Sequence, residues 1–214
     1  MADAFDRFIP DAQGFLTRLR AHNTRDWFTE HKPDYDDTVR APALLLLDMM
    51  VPRLAKITGE TVSTKLFRPQ RDIRFSKDKT PYKDHCHMLW HAPADTPIGY
   101  YLGISPDYVR VGAGVMGFGK DGLDRWRAAV SGPQGTAISQ VLGRLSGDGC
   151  AVSDPELVRV PPPYGKDHPA GDLLRHKSLT VWADLAPLQT DLPDALAERF
   201  AQFAPLCALL RPIA

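Results

Sequence analysis

Between Phe67 and Val115 the chain carries short aromatic or β-branched runs set apart by proline, glycine and aspartate, and this stretch restricts the fold most. Met88–Trp90, Tyr100–Ile104 and Tyr108–Val115 read as strands, with Pro106-Asp107 as a hairpin turn between two of them. Phe67, Ile73 and Phe75 alternate with polar residues, so Phe67–Ser76 also reads as a strand, with Pro69 near its beginning or on an edge. Leu157–Val160 and Leu179–Asp184 complete the set. The strands cluster between helical blocks instead of alternating with helices, which favours α+β over a doubly wound sheet. The expectation is one α+β domain over residues 1–214: a central, mainly antiparallel sheet flanked by N-terminal and C-terminal helices.

The helices are marked by their caps and apolar spacing. Asp11 is the expected cap of a helix carrying Phe15, Leu16 and Leu19. Thr24 is that of a second, with Trp27, His31 and Tyr35 on one stripe and Pro33 as its break. A third runs from Pro42 to Ile57 on a stripe of Leu44, Leu47, Val51 and Leu54, widened by Leu45, Leu46, Met49 and Met50, and stops at Gly59. Further helices carry Leu123, Trp126 and Val130, then Ile138, Val141, Leu142 and Leu145 behind Pro133, then Leu173 and Leu174. The last has Asp191 as cap and Pro193 in its first turn, with Leu196, Phe200, Phe203, Leu206 and Leu210 inward.

Lysine plus arginine equals aspartate plus glutamate at 26 each, which excludes a histone-like or bulk acidic chain. The neutral total hides an uneven distribution. Residues 65–83 hold seven basic residues against Asp72 and Asp78, a net +5, and the rest of the chain is −5. Cys86, Cys150 and Cys207 are odd in number and widely spaced, which points to reduced thiols in a cytoplasmic protein. The start, MADAFDRFIP, lacks the basic and then apolar pattern of a leader. The run Ala43–Leu47 is far below the ~18–20 apolar residues of a membrane span.

Cations interleaved with Phe67, Phe75 and Tyr82 suit an anion, because guanidinium forks grip oxyanions and aromatic faces stack on rings. On a strand, Arg68, Asp72 and Arg74 would share one face and Phe67, Arg71, Ile73 and Phe75 the other. The expected ligand is an anionic small molecule bearing phosphate or carboxylate. Arg71 and Arg74 would grip it, and Asp72 would orient a guanidinium. Lys77 and Lys79 would close from a loop, Tyr82 would donate a hydrogen bond, and Arg68, Lys83 and Trp27 would line the site. His168, between prolines and beside Asp167, is the candidate for proton transfer if the protein is an enzyme. The same block could instead be a docking surface for nucleic acid or protein, or a purely structural salt-bridge network. No cofactor is assigned.

The run Arg71-Asp72-Ile73-Arg74-Phe75-Ser76-Lys77-Asp78-Lys79-Thr80-Pro81-Tyr82-Lys83 resembles the signature of the domain of unknown function 2461 family. Asn23–Phe28 with His31, Lys32 and Tyr35, then Tyr100–Leu102 and Gly112–Gly114, then Lys166–Pro169 with Leu173 and Leu174, are similar to its other segments. Where the family pattern has a basic residue before glycine, this chain has Pro162-Pro163-Tyr164-Gly165. The resemblance implies a single α+β domain and supplies no activity or catalytic residues.

Three motifs carry less. Gly112-Ala113-Gly114-Val115-Met116-Gly117 has dinucleotide-loop spacing, but Gly119 and Gly122 oppose the helix such a loop must open, and glycines that let backbones pack closely explain it better. Ser76-Lys77-Asp78-Lys79 lacks the helix and companion motifs of the acyl-transfer enzymes. His85, His87 and His91 share parity, so a metal site is conceivable, though surface or hydrogen-bonded histidines are favoured and no metal is assigned.

Overall fold

The computed structural model describes residues 5–185 and 191–214, so the first four residues of the amino-terminal stretch read above lie outside the described residues. Helices α1 (Phe8–Ala21), α2 (Arg25–Glu30), α3 (Lys32–Tyr35) and α4 (Ala41–Thr58) precede strand β1 (Ser63–Leu66). Strands β2 (Cys86–His91), β3 (Ile98–Ile104) and β4 (Val109–Val115) follow, then α5 (Lys120–Val130), α6 (Pro133–Gly147), β5 (Ala151–Val152), α7 (Gly171–Leu174), β6 (Leu179–Asp184) and α8 (Leu192–Leu210). The six strands form one antiparallel sheet in the order β1-β2-β3-β4-β6-β5. This is the expected α+β architecture.

Alternation divides the sheet into two faces. Met88, Trp90, Tyr100, Leu102, Val111, Ala113, Val115, Leu179 and Val181 belong to the apolar core, against which α1, α4 and α8 pack. Two indole N–H groups buried there are satisfied: Trp90 Nε1 donates to the Leu47 carbonyl at 3.0 Å and Trp126 Nε1 to that of Leu173 at 3.1 Å. The opposite face carries His87, Leu89, His91, Tyr101, Arg110 and Trp182 among the glycines Gly99, Gly103, Gly112 and Gly114, and the candidate site forms there.

Most caps fall where the sequence puts them. Thr24 Oγ1 accepts from Trp27 N–H at 3.3 Å, Asp191 Oδ1 accepts from Asp194 N–H at 2.9 Å, and Gly59 closes α4 at φ 72°. The Pro106-Asp107 turn is tied by the Ser105 hydroxyl, which accepts from both Asp107 and Tyr108 N–H.

Five expectations are corrected. Asp11 is not a cap: α1 starts at Phe8, and Asp11 lies in its first turn, paired with Arg7 at 3.2 Å. The buried stripe of α4 is Ala43, Leu46, Leu47, Met50 and Leu54, which leaves Leu44, Leu45 and Met49 exposed. Gly119 caps α5 instead of opposing it. Leu157–Val160 is irregular, flanked by Pro155 and Pro161, and the edge strand is Ala151–Val152.

The fifth concerns Phe67–Ser76, which is no strand. Leaving β1, the chain makes a narrow excursion closed at its neck by Arg71 N–H to the Pro81 carbonyl and Lys83 N–H to that of Pro69, both 2.8 Å. Beyond the neck, Asp72 accepts from Arg74 N–H at 3.3 Å and Asp78 from Thr80 N–H at 2.9 Å. These local turns take amides that a ladder would need, and Pro69 has none to offer.

Candidate functional site

The two carboxylates of the basic excursion neutralise the two arginines expected to grip a ligand. Arg71 Nη1 donates to Asp78 and to the Thr80 hydroxyl. Arg74 is bidentate on Asp72, with Nε at 2.9 Å and Nη2 at 2.7 Å. These contacts hold the carboxyls low: Arg74 first of all lowers Asp72, and Arg71 with Thr80 brings Asp78 down to about 2. Arg71 lines the cavity at the neck of the excursion and Arg74 does not. The Arg71 side chain is 27% exposed and that of Arg74 is 76% exposed. Lys79 Nζ is tied to the Ile73 carbonyl at 3.0 Å, and Phe75 is 95% exposed with the Arg74 guanidinium 5.8 Å from its ring centroid.

Tyr82 lines the cavity at the neck of the excursion and is firmly held there. Its ring stacks on Phe28 at 4.0 Å, and Asn23 both accepts from its N–H and donates to its carbonyl. Trp27 stacks on His31 at 4.1 Å. His168 sits in the loop between β5 and α7, where its Nδ1 accepts from Ala170 N–H at 3.0 Å. It lines neither of the cavities described next.

A cavity of about 400 Å³ lies at the neck of the excursion, bounded by Arg20, Arg71, Asp78, Lys83, Asp84 and His85. Arg20 is engaged with Asp84 and Asp107. Lys65, Arg68 and Lys83 form no ion pair among the described residues. Burial, then Arg68 and Lys65, hold Lys83 below the ordinary lysine value. Burial, then His85 and Lys83, bring His87 down to about 4. The local field is thus positive at Lys83, away from the arginines of the loop tip.

Beside this rim a groove of about 770 Å³ opens over the sheet. Leu89, Tyr101 and Trp182 line it, and with Lys65 and Gly112 they are successive partners on β1, β2, β3, β4 and β6 that form one transverse row. Phe67 joins rim to groove, with Lys65 Nζ 4.9 Å and Lys83 Nζ 6.0 Å from its ring centroid. His87 Nε2 and the Tyr108 hydroxyl are 3.0 Å apart, and Arg110 is held by Asp184 at 2.6 Å.

The histidines are accounted for by contacts. His85 and His87 stack at 4.1 Å, and His91 Nδ1 lies 3.2 Å from the Ile98 carbonyl. Among the described residues no group of three His, Cys, Asp or Glu side chains is placed to hold a metal ion. All three cysteines are free and buried, and burial pushes Cys86 and Cys207 up to about 12. Gly112 and Gly114 of the dinucleotide-like motif lie in β4, paired antiparallel with β6, a setting without the parallel crossover such a motif requires.

Lys65, Tyr101, Tyr108 and Trp182 were not singled out as site residues by sequence reasoning. Lys65, Tyr101 and Trp182 lie on three strands and Tyr108 just before β4, and only the hydrogen-bond register brings them together.

No curated protein matches the chain. Residues 11–208 match the sequence model of a family described as a conserved hypothetical protein (DUF2461), which includes the 71–83 block and the groove-forming strands. The chain belongs to the DUF2461 family.

Proposed function

We propose that the protein binds an anionic small molecule, bearing phosphate or carboxylate, at the basic rim of Lys65, Arg68 and Lys83, with Arg71 at its edge. One observation carries the reading: Lys65, Arg68 and Lys83 cluster about Phe67 beside the neck cavity that Lys83 lines, with no ion-pair partner among the described residues, in a chain whose charges balance overall. Lys83 is partly buried and its charge is disfavoured there, which an external anion relieves, while Lys65 and Arg68 are exposed and add to the attraction. Arg71 contributes through Nε and Nη2, since Nη1 alone is engaged by Asp78 and Thr80. His168, Arg74, Lys77 and Lys79 have no part in this proposal.

The test is a thermal melting series in phosphate or sulfate, with sodium chloride at matched ionic strength as control. Anion at one hundred times its dissociation constant adds about 2.7 kcal/mol to stability. Lys83→Met, which keeps the apolar stem, is expected to remove the increment and to melt cooperatively in chloride. A wild-type protein indifferent to every anion, or a Lys83→Met variant with the full increment, would falsify the reading.

A second reading, a docking surface for nucleic acid, is favoured by Phe75, which stands 95% exposed among Arg74, Lys77 and Lys79. Its mark is oligonucleotide affinity that falls linearly with salt on a log–log scale. Absence of binding at low ionic strength removes it.

A further inference from the structure

We infer that the groove receives a planar heteroaromatic ring stacked on Trp182 and flanked by Tyr101, so that the ligand is a heteroaromatic phosphate or carboxylate of the nucleotide kind. The inference rests on the anion reading of the rim and names the body to which the anion is attached.

The first support is the way the rings lie. A Cβ added to Gly112 would come within 2.4 Å of the Trp182 ring, and one added to Gly99 within 2.4 Å of the Tyr101 ring. At Gly103 it would meet His87 at 3.1 Å and Tyr108 at 3.2 Å. The missing side chains let four rings lie down along the sheet instead of standing up from it. Trp182 and Tyr101 both line the groove, Trp182 half-buried and Tyr101 only 7% exposed, so the surface open to a stacked base is that of Trp182, with Tyr101 as its flank. Tyr101 and Trp182 adjoin at 5.6 Å between centroids, tilted by 34°. An aliphatic chain would need a deep slot and no such flattening.

The second support is the polar fringe. His91 Nδ1 faces the Ile98 carbonyl, so in the neutral ring it carries the proton and Nε2 is a bare acceptor. His87 and the Tyr108 hydroxyl share one hydrogen bond and leave one further hydroxyl lone pair or proton for a ligand. Ring N–H, exocyclic amine and carbonyl groups are the partners such groups select.

The third support is charge placement. In the transverse row Lys65 stands two strands from Tyr101, about 10 Å at the backbone. Lys65 leans over Phe67 toward the rim. A nucleoside phosphate spans such a gap, with its ring on the platform and its phosphate among the cations.

The experiment is calorimetric titration of the full chain with inorganic phosphate, butyl phosphate, adenosine and uridine monophosphates, and a short oligothymidylate. Stacking of one base predicts nucleotide affinity about 5- to 150-fold above that of inorganic phosphate. Trp182→Leu is expected to remove that advantage and leave inorganic phosphate binding unchanged. Trp182→Phe keeps most of it, and serves if the leucine variant does not fold. Butyl phosphate bound as tightly as the nucleotides overturns the heteroaromatic body and leaves the rim reading standing. So does nucleotide bound no tighter than inorganic phosphate. Oligothymidylate bound without either mononucleotide overturns the small-molecule ligand. If inorganic phosphate and every other probe fail to bind, the rim reading itself falls.

Discussion

Lys83 and Arg71 belong to one excursion of the chain, yet only Arg71 has a carboxylate. That difference moves the positive field from the loop tip to the mouth of the groove, where His87 feels it. Above about pH 6.5 neither the folded nor the unfolded chain protonates His87. As pH falls, the unfolded chain takes up a proton that the folded one refuses until about pH 4, so the lowered value costs stability in this window. The slope approaches about 1.4 kcal/mol per pH unit for one such group, and His85, also lowered chiefly by burial, adds to it. Urea unfolding from pH 7 to 4 is expected to show this decline, flattened in His87→Gln. An unchanged slope in that variant would place the titration elsewhere.

At the scale of elements, α4 is the helix whose direction of burial the sequence conceals. From Ala43 to Val51 only Asp48 is polar, so nearly every phase of a helical wheel looks apolar. Packing decides: Leu46 is fully buried and Leu45 is 47% exposed. Leu46→Ala is expected to cost about 2–5 kcal/mol and Leu45→Gln to stay within about 0.5 kcal/mol, read as shifts in denaturation midpoint. Equal effects would contradict the observed orientation. Elements with firm punctuation were legible, among them α8 behind Asp191 and the β3–β4 hairpin around Pro106. The 67–76 segment was misread because alternation alone ignores the turns that aspartate side chains make with their own backbone. Its basic character was visible. Which of its cations lack a partner was not, since that depends on Asp72 and Asp78 folding back onto Arg74 and Arg71.

For the whole molecule, one apolar cluster extends from Phe8 in α1 to Leu210 in α8. We take residues 1–214 as one folding unit, and expect thermal unfolding followed by far-ultraviolet and tryptophan signals to trace a single coincident transition. Separate midpoints would divide the chain. The groove was illegible at this scale for a related reason. Lys65 and Trp182 lie more than a hundred residues apart, and no local pattern announces that they end in one row.

The strand order also sets a timetable for synthesis. β1 to β4 can zip together as they emerge, but the partner of β4 is β6, which follows more than sixty residues later. At about 5–20 residues per second, the outer edge of β4 waits several seconds on the ribosome with its amides unmatched. An open edge invites foreign strands. The arrival of β6 closes that edge and lays Trp182 across Gly112 in the same movement, so the last strand to be synthesised is also the one that completes the proposed platform.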